Sequence, residues 1–212
     1  MRKKAILLIL IISVKGFTQT DLEKGYEKVK NAKGYSQEVN ALLDYGQIWY
    51  QQNPDSAKFY YEKANKIALK NNYIEGRFKF YPLYTDIFVF KANYDKALEL
   101  ANEFNKLAIS AKNKRFIAQS TNNIGICYTY KGEFEKSLHY FQKSIELYKQ
   151  NNQPEYEPKI NNFIAVSFYN SNNMEMAIKY GNKTIVQAKE IKDKFLEADA
   201  NGMTASAYIE LK

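Results

Sequence analysis

The stretch Thr121–Ser144, TNNIGICYTYKGEFEKSLHYFQKS, decides the fold of this chain. Its apolar residues recur at the three- and four-residue spacing of a helix until Gly132, which ends the first helix, and the pattern resumes at Phe134. Small residues stand on both sides of this turn, at Gly125 and Ser137. Two antiparallel helices joined by a short turn approach closely where small side chains cross. The stretch therefore predicts a helical hairpin.

This hairpin pattern recurs along the chain with a 40-residue period. The small residue of the second helix returns at Ala57, Ala97, Ser137 and Ala177, and a large apolar residue of the first helix returns at Ile48, Phe88, Tyr128 and Phe168. In the same register, the place of Gly125 is taken by Tyr45, Thr85 and Ala165. One helical pair cannot bury both of its faces, so the repetition predicts stacked pairs that share a core.

The repeat also predicts where the helices lie. Helical pairs are expected at residues 36–52 and 54–70, 73–91 and 94–112, 115–131 and 134–151, and 155–171 and 174–191, with a last helix from about Lys194 and a preceding helix near Thr20–Lys30. Pro82 falls inside one of these helices, where the missing hydrogen bond predicts a kink or a late helix start.

Residues Thr121–Ser144 resemble the tetratricopeptide repeat signature, whose small and aromatic positions are held here by Gly125, Tyr128, Phe134, Ser137, Phe141 and Ser144. The usual period of that family is about 34 residues, and the longer period is similar to that of kinesin light chains and bacterial peptide-sensing regulators. The resemblance covers about residues 36–212. It implies an all-α fold, a right-handed superhelical α-solenoid of antiparallel helix pairs. The expected units are 36–72, 73–113, 114–153, 154–192 and a half unit at 193–212, after a helical lead-in at 19–35.

The first 18 residues have the features of a secretory signal peptide. Residues 2–4 are basic, residues 5–14 are apolar, and a cut is expected before Gln19. The apolar run is shorter than the ~20 residues of a spanning helix, but Lys15 leaves an uncleaved membrane anchor open as the alternative. We therefore expect the chain to be exported, periplasmic or secreted, and cleavage would lower its formal net charge from +8 to +4.

The sequence contains no combination of residues typical of a catalytic or metal site. His139 is its only histidine, and a lone histidine without nearby cysteine or carboxylate ligands does not make a zinc site. Cys127, the only cysteine, is expected to be a small buried residue. We predict that the chain is no enzyme and holds no metal or cofactor. Its positive charges are scattered over amphipathic helices, which argues against binding to nucleic acid.

The resemblance implies that the first helix of each pair lines a concave groove that binds a protein or an extended peptide. Carried over by register, the binding residues are Lys79, Asp86 and Phe90 in the second unit, Gln119, Asn122, Ile126 and Tyr130 in the third, and Lys159, Asn162 and Tyr169 in the fourth. The two asparagines are separated by one full 40-residue period, and a carboxamide both donates to and accepts from a peptide backbone. The two lysines suit acidic side chains or a terminal carboxylate. A solvated surface without a ligand is the alternative.

Two functions fit these features. The first is a protein- or peptide-binding scaffold in the cell envelope. The second is the sensory part of a longer bacterial signalling protein, such as a histidine kinase or a transcriptional regulator. An in-frame segment of about 20 apolar residues beyond Lys212 would favour the second function. Membrane contact is expected only if the N-terminal segment stays uncleaved or the chain continues past Lys212.

Overall fold

The computed structural model describes residues 19–211, which form ten α-helices, one 3-10 helix and no β-strand. The helices are α1 (Gln19–Lys30), α2 (Tyr35–Tyr50), α3 (Pro54–Lys70), α4 (Ile74–Phe90), α5 (Tyr94–Ser110), α6 (Lys114–Lys131), α7 (Phe134–Gln150), α8 (Glu157–Asn170), α9 (Met174–Glu190) and α10 (Lys194–Glu210). The 3-10 helix spans Pro154–Tyr156. The predicted signal peptide lies outside the described residues.

The helix boundaries confirm the predicted pairs to within two residues at every end. The late helix start expected at Pro82 is wrong, because α4 begins at Ile74 and continues through the proline to Phe90. The helix predicted from residue 155 begins at Glu157, after the 3-10 helix.

The described helices divide into two compact units, one containing α1 to α7 and ending at Tyr156, and one containing α8 to α10 and beginning at Glu157. In each unit, every α-helix packs against the next along the chain. The first helices of successive pairs also contact each other, α2 with α4, α4 with α6, and α8 with α10. This nearest-neighbour packing is that of an all-α solenoid of antiparallel helix pairs.

The small residues predicted at the helix crossings form the centre of each pair. Ala57, Ala97, Ser137 and Ala177 are completely buried. Four residues further along the same helices, Tyr61 and Phe141 are among the largest buried side chains. Cys127 is completely buried as expected, and burial raises the pKa of its thiol to about 12. The core therefore follows the 40-residue register in these second helices.

The turns repeat at half of the 40-residue period. A residue with a left-handed backbone occurs at Asn72, Ala92, Lys112, Gly132, Asn152, Asn172 and Lys192, with φ between 51° and 78°. The amide of the following residue donates to a carbonyl five positions back, as from Asn93 N to Phe88 O at 2.8 Å. This is the Schellman pattern that ends a helix. The Asn93 side chain then accepts from Lys96 N and caps the next helix.

The turn between α2 and α3 departs from this pattern. Asn53 N donates to Trp49 O, only four positions back, and no left-handed residue occurs there. The face that α2 presents to α3 is accordingly one residue later than the 40-residue register. Gly46 lies against the Tyr61 ring, as Gly125 lies against Phe141. The prediction that Tyr45 takes the place of Gly125 is therefore wrong by one residue.

The close approach at Gly46 can be tested by adding one methyl group. A β-carbon there would lie 2.7 Å from Tyr61 Cδ1, so we expect Gly46→Ala to lower the free energy of unfolding by about 1–3 kcal/mol in urea denaturation. Gly202→Ala is the matched control, because a β-carbon at this helical glycine has open space. It should stabilise the chain by about 0.5–1 kcal/mol. Equal effects of the two substitutions would contradict the shifted register.

The left-handed turn residues provide a second test. Ala92 has φ of 55°, a conformation that costs an L-residue about 1–2 kcal/mol and glycine almost nothing. We expect Ala92→Gly to raise the urea midpoint, with a net gain of about 0.5–1 kcal/mol after the entropy cost of glycine. Ala41→Gly, inside α2, should instead destabilise by about 1 kcal/mol. A loss of stability in Ala92→Gly would show that this turn conformation is unstrained.

Candidate functional site

The predicted binding residues of the second and third units lie on the helices α4 and α6, which are neighbours in the first compact unit. Lys79, Asp86 and Phe90 share one face of α4, because their spacings of seven and four residues are close to whole helical turns. Gln119, Asn122, Ile126 and Tyr130 share one face of α6 by the same criterion. We refer to these residues, together with Asn40 and Tyr50 of α2, as the first-helix face.

Two residues of α2 join this face that the sequence did not predict. Lys79 Nζ donates to Asn40 Oδ1 at 2.7 Å, and the Tyr50 hydroxyl donates to the Asp86 backbone carbonyl at 3.2 Å. The Tyr50 and Phe90 rings also meet edge to face, with centroids 5.9 Å apart. The separation of Asn40 and Lys79 is one residue less than the period, so a search at the full period does not find Asn40. A search for an amide in the shifted register of α2, one residue later, finds Asn40.

Asp86 has an unusual electrostatic environment. Its side chain is exposed, yet loss of solvation raises the pKa of its carboxyl to about 7. Because the side chain is exposed, the carboxylate keeps contact with water, and the loss of solvation is partial. Removing solvent disfavours the charged form of an acid and so raises its pKa. Among the ion pairs of the described residues, none includes Asp86.

Other acids at the junctions between pairs are neutralised. Asp55 pairs with Lys91, and Asp95 pairs with Lys131 at 2.7 Å, so the same ion pair recurs with the 40-residue period. The hydrogen bond and charge of Lys91 lower the pKa of Asp55. These pairs are exposed and contribute little stability, but they show that the repeat supplies a lysine partner for these carboxylates. Asp86 has none among residues 19–211.

The α6 part of the face combines one amide with apolar and aromatic groups. Asn122 is half-buried, and its Oδ1 atom is buried with no hydrogen-bond partner among the described residues. Ile126 is half-buried. Tyr130 stacks on Tyr94, the first residue of α5, with centroids 6.0 Å apart. A buried acceptor without a donor is costly unless a ligand or water completes it.

The predicted residues of the fourth unit are in a different environment. Asn162 and Tyr169 are buried, with 4% and 8% of their surfaces exposed, and Asn162 Nδ2 donates to Asp199 Oδ2 at 2.5 Å. Lys159 is exposed and lies 3.7 Å from Asp193. Asn162 and Tyr169 would have to be uncovered before they could contact a ligand. The expected equivalence of Asn122 and Asn162 therefore does not extend to their exposure.

No group of His, Cys, Asp and Glu side chains between residues 19 and 211 is arranged to hold a metal ion. His139 is exposed on α7. Within the same range, none of the helices has both the length and the apolar character that crossing a lipid bilayer requires.

Comparison with known proteins supports the interpretation of the repeat. The tetratricopeptide repeat family matches residues 118–151, most of α6 and all of α7. No curated protein matches the sequence.

Solved structures share the fold at low identity. Aspartyl phosphate phosphatase F from Bacillus subtilis is 16% identical with a TM-score of 0.70, over 89% of this chain and 50% of that one. A Rap protein crystallised with Competence and Sporulation Factor is 14% identical with a TM-score of 0.71, over 89% and 58%. A signal transduction ATPase with a tetratricopeptide repeat sensor from Pyrococcus horikoshii is 20% identical with a TM-score of 0.68, over 89% and 30%.

The chain thus spans half the length of the phosphatase it matches. The family match lies on the hairpin whose small and aromatic residues pack as the repeat predicts, and the matched structures share its arrangement of helices. On these grounds the chain contains a tetratricopeptide repeat at residues 118–151 and shares the all-α solenoid fold of these structures.

Proposed function

We propose that this chain is a binding scaffold that holds a protein or an extended peptide on the first-helix face of α2, α4 and α6. The observation that carries the proposal is the pair of unsatisfied groups on α4. Phe90 is a large apolar side chain with 61% of its surface exposed, and one turn earlier Asp86 has no ion-pair partner among the described residues. The two groups therefore place an aromatic side chain and a carboxylate on one exposed face of α4, where a ligand could contact both.

The chemistry of the face suits a peptide. Exposed aromatic side chains supply contact area at a small cost in conformational entropy and are common anchors of interfaces. Asn122 Oδ1 is buried without a hydrogen-bond partner, so it would accept from a ligand N–H once the side chain turned outward. Lys79 is held by Asn40 and is therefore a less available partner for an acidic ligand than its position alone suggests.

The matched Rap protein was crystallised with Competence and Sporulation Factor. That structure shares the fold of this chain, which is consistent with a ligand-holding role here. The α4 and α6 residues Lys79, Asp86, Phe90, Asn122, Ile126 and Tyr130 form the proposed site. Lys159 of α8 is an additional candidate because its side chain is exposed.

We also propose that the scaffold acts in the cell envelope, after export and cleavage before Gln19. The basic and apolar pattern of residues 1–18 supports this location. The alternative, a sensory part of a longer signalling protein, would be favoured by an in-frame segment of about 20 apolar residues beyond Lys212.

The binding face can be mapped by site-specific photo-crosslinking in the source cells. With p-benzoylphenylalanine in place of Ile126, on the first-helix face, irradiation should attach one defined protein or peptide. The same group in place of Lys143, an exposed residue of α7, is the matched control and should not capture that product. Adding Phe90→Ala should lower the yield at position 126 at least about three-fold, as loss of an aromatic anchor does.

The crosslinking result has two outcomes that would contradict the proposal. One is equal capture of the same product from positions 126 and 143, which would indicate non-specific contact. The other is the absence of any adduct at position 126 while the variant remains folded, as judged by an unchanged thermal midpoint.

The export proposal predicts the first residue of the mature chain. We expect N-terminal sequencing of the protein recovered from the envelope or medium to begin at Gln19. Changing residues 2–4 to glutamate should leave the protein in the cytosol, because a signal peptide needs a positive N-terminal region. A chain that begins at Met1 in the envelope fraction would support the membrane-anchored alternative, and wild-type protein confined to the cytosol would contradict export.

A further inference from the structure

We propose that the ligand of the first-helix face carries a positively charged nitrogen group, a lysine side chain or an α-amino terminus, that binds at Asp86 beside Tyr50 and Tyr130. This inference rests on the proposed binding function and adds the chemical class of the ligand group.

Aromatic residues of neighbouring first helices lie near Asp86. Tyr50 comes from α2 and is tied to the Asp86 backbone by its hydroxyl at 3.2 Å, and its ring meets Phe90 at 5.9 Å. Tyr130 comes from α6, the next first helix, and stacks on Tyr94. The Asp86 carboxyl interacts electrostatically with Tyr50, and Tyr50 with Tyr130, so the charge that would attract a cation lies near two aromatic residues.

Asp86 has no positively charged partner among residues 19–211. The repeat places Lys91 and Lys131 on Asp55 and Asp95, so lysines are available at the neighbouring junctions. Neither of these lysines pairs with Asp86, and no other cation of residues 19–211 does. A carboxylate that loses solvent without gaining a partner is unfavourable when charged. A cationic group from a ligand would supply the missing charge.

The pH range in which the Asp86 carboxyl changes its charge depends on the groups around it. The groups that interact electrostatically with Asp86 are Tyr50 on α2, Tyr61 on α3 and Cys127 on α6. Burial raises the pKa of all three, so they stay neutral near pH 7. Tyr130 interacts with Tyr50, and Tyr94 of α5 stacks on Tyr130.

Asp86 is therefore the group of this cluster that ionises in that range, since the pKa of its carboxyl is raised to about 7. A cation binds the ionised form better. Binding should accordingly strengthen as the pH rises through about 7 and weaken as the pH falls.

The test uses defined peptides and the full chain labelled with ¹⁵N. The probe is the acetylated and amidated peptide Ala-Ala-Lys-Ala-Ala, and the control replaces lysine by norleucine, which keeps the chain length and removes the charge. A third peptide has norleucine and a free α-amino terminus, which separates the two sources of positive charge. Affinities come from amide chemical shifts of residues on the first-helix face, titrated to about 20 mM because single-group contacts bind in the millimolar range.

We expect at least one cationic peptide to bind about five-fold more tightly than the neutral peptide at pH 8. The difference should shrink at pH 6 and disappear in Asp86→Asn. Asp86→Glu should retain it. Asp95→Asn is the matched control, because it removes an exposed acid that is already paired with Lys131, and it should change nothing.

Equal binding of charged and neutral peptides, or no saturable shifts with either cationic peptide, would overturn the proposal. So would a charge preference that survives Asp86→Asn in a variant with unchanged circular dichroism. Crosslinking at position 126 does not depend on charge. An adduct there together with a negative peptide result would retain the binding face and reject the cation, whereas failure of both would reject both.

Discussion

Each regular turn of this chain places a single left-handed residue between two helices, and the packing of the pairs depends on that residue. The amide that follows it bonds to a carbonyl five positions back, which ends one helix, and at Asn93, Asn113, Asn173 and Asp193 the side chain of that following residue also caps the next helix. Because this turn recurs twice in each 40-residue period, each helix begins at the same rotational position relative to the helix before it. A small residue of each of the helices α3, α5, α7 and α9 is then buried at the crossing, and the period of the core follows from the period of the turns.

The first turn shows what happens without that residue. Between α2 and α3, Asn53 N still donates to Trp49 O, four positions back as inside a helix. The face that α2 presents to α3 is therefore shifted by one residue. The sequence alone could not indicate this shift, because six of the seven left-handed positions are not glycine. Neither Ala92 nor Lys192 is a residue type that indicates a left-handed backbone. The residue type at Gln52 therefore gives no indication that a left-handed residue is absent from that turn. The helix boundaries were predictable because they depend on apolar spacing and caps, which are visible in the residues themselves.

The residues of the candidate site were predictable to a similar extent. Periodicity placed Asp86, Phe90, Asn122 and Ile126 on faces of neighbouring helices, since a residue's face depends only on its position in a helix. It missed Asn40 and Tyr50 because they obey the shifted register of α2. It also could not show that Asn162 donates to Asp199 in α10, because this burial depends on one acidic residue of another helix and not on the repeat.

Asp86 connects the fold to the proposed function. The fold could satisfy a carboxylate at this position with a lysine, as it does at Asp55 and Asp95, or remove it altogether. Instead, the Tyr50 hydroxyl donates to the backbone carbonyl of Asp86, and the Asp86 carboxylate forms no ion pair among the described residues. Asp86 therefore keeps an unpaired carboxylate on the first-helix face, where the proposed ligand would lie. The same low solvation that makes the charge unfavourable in the free protein would strengthen its attraction to a bound cation.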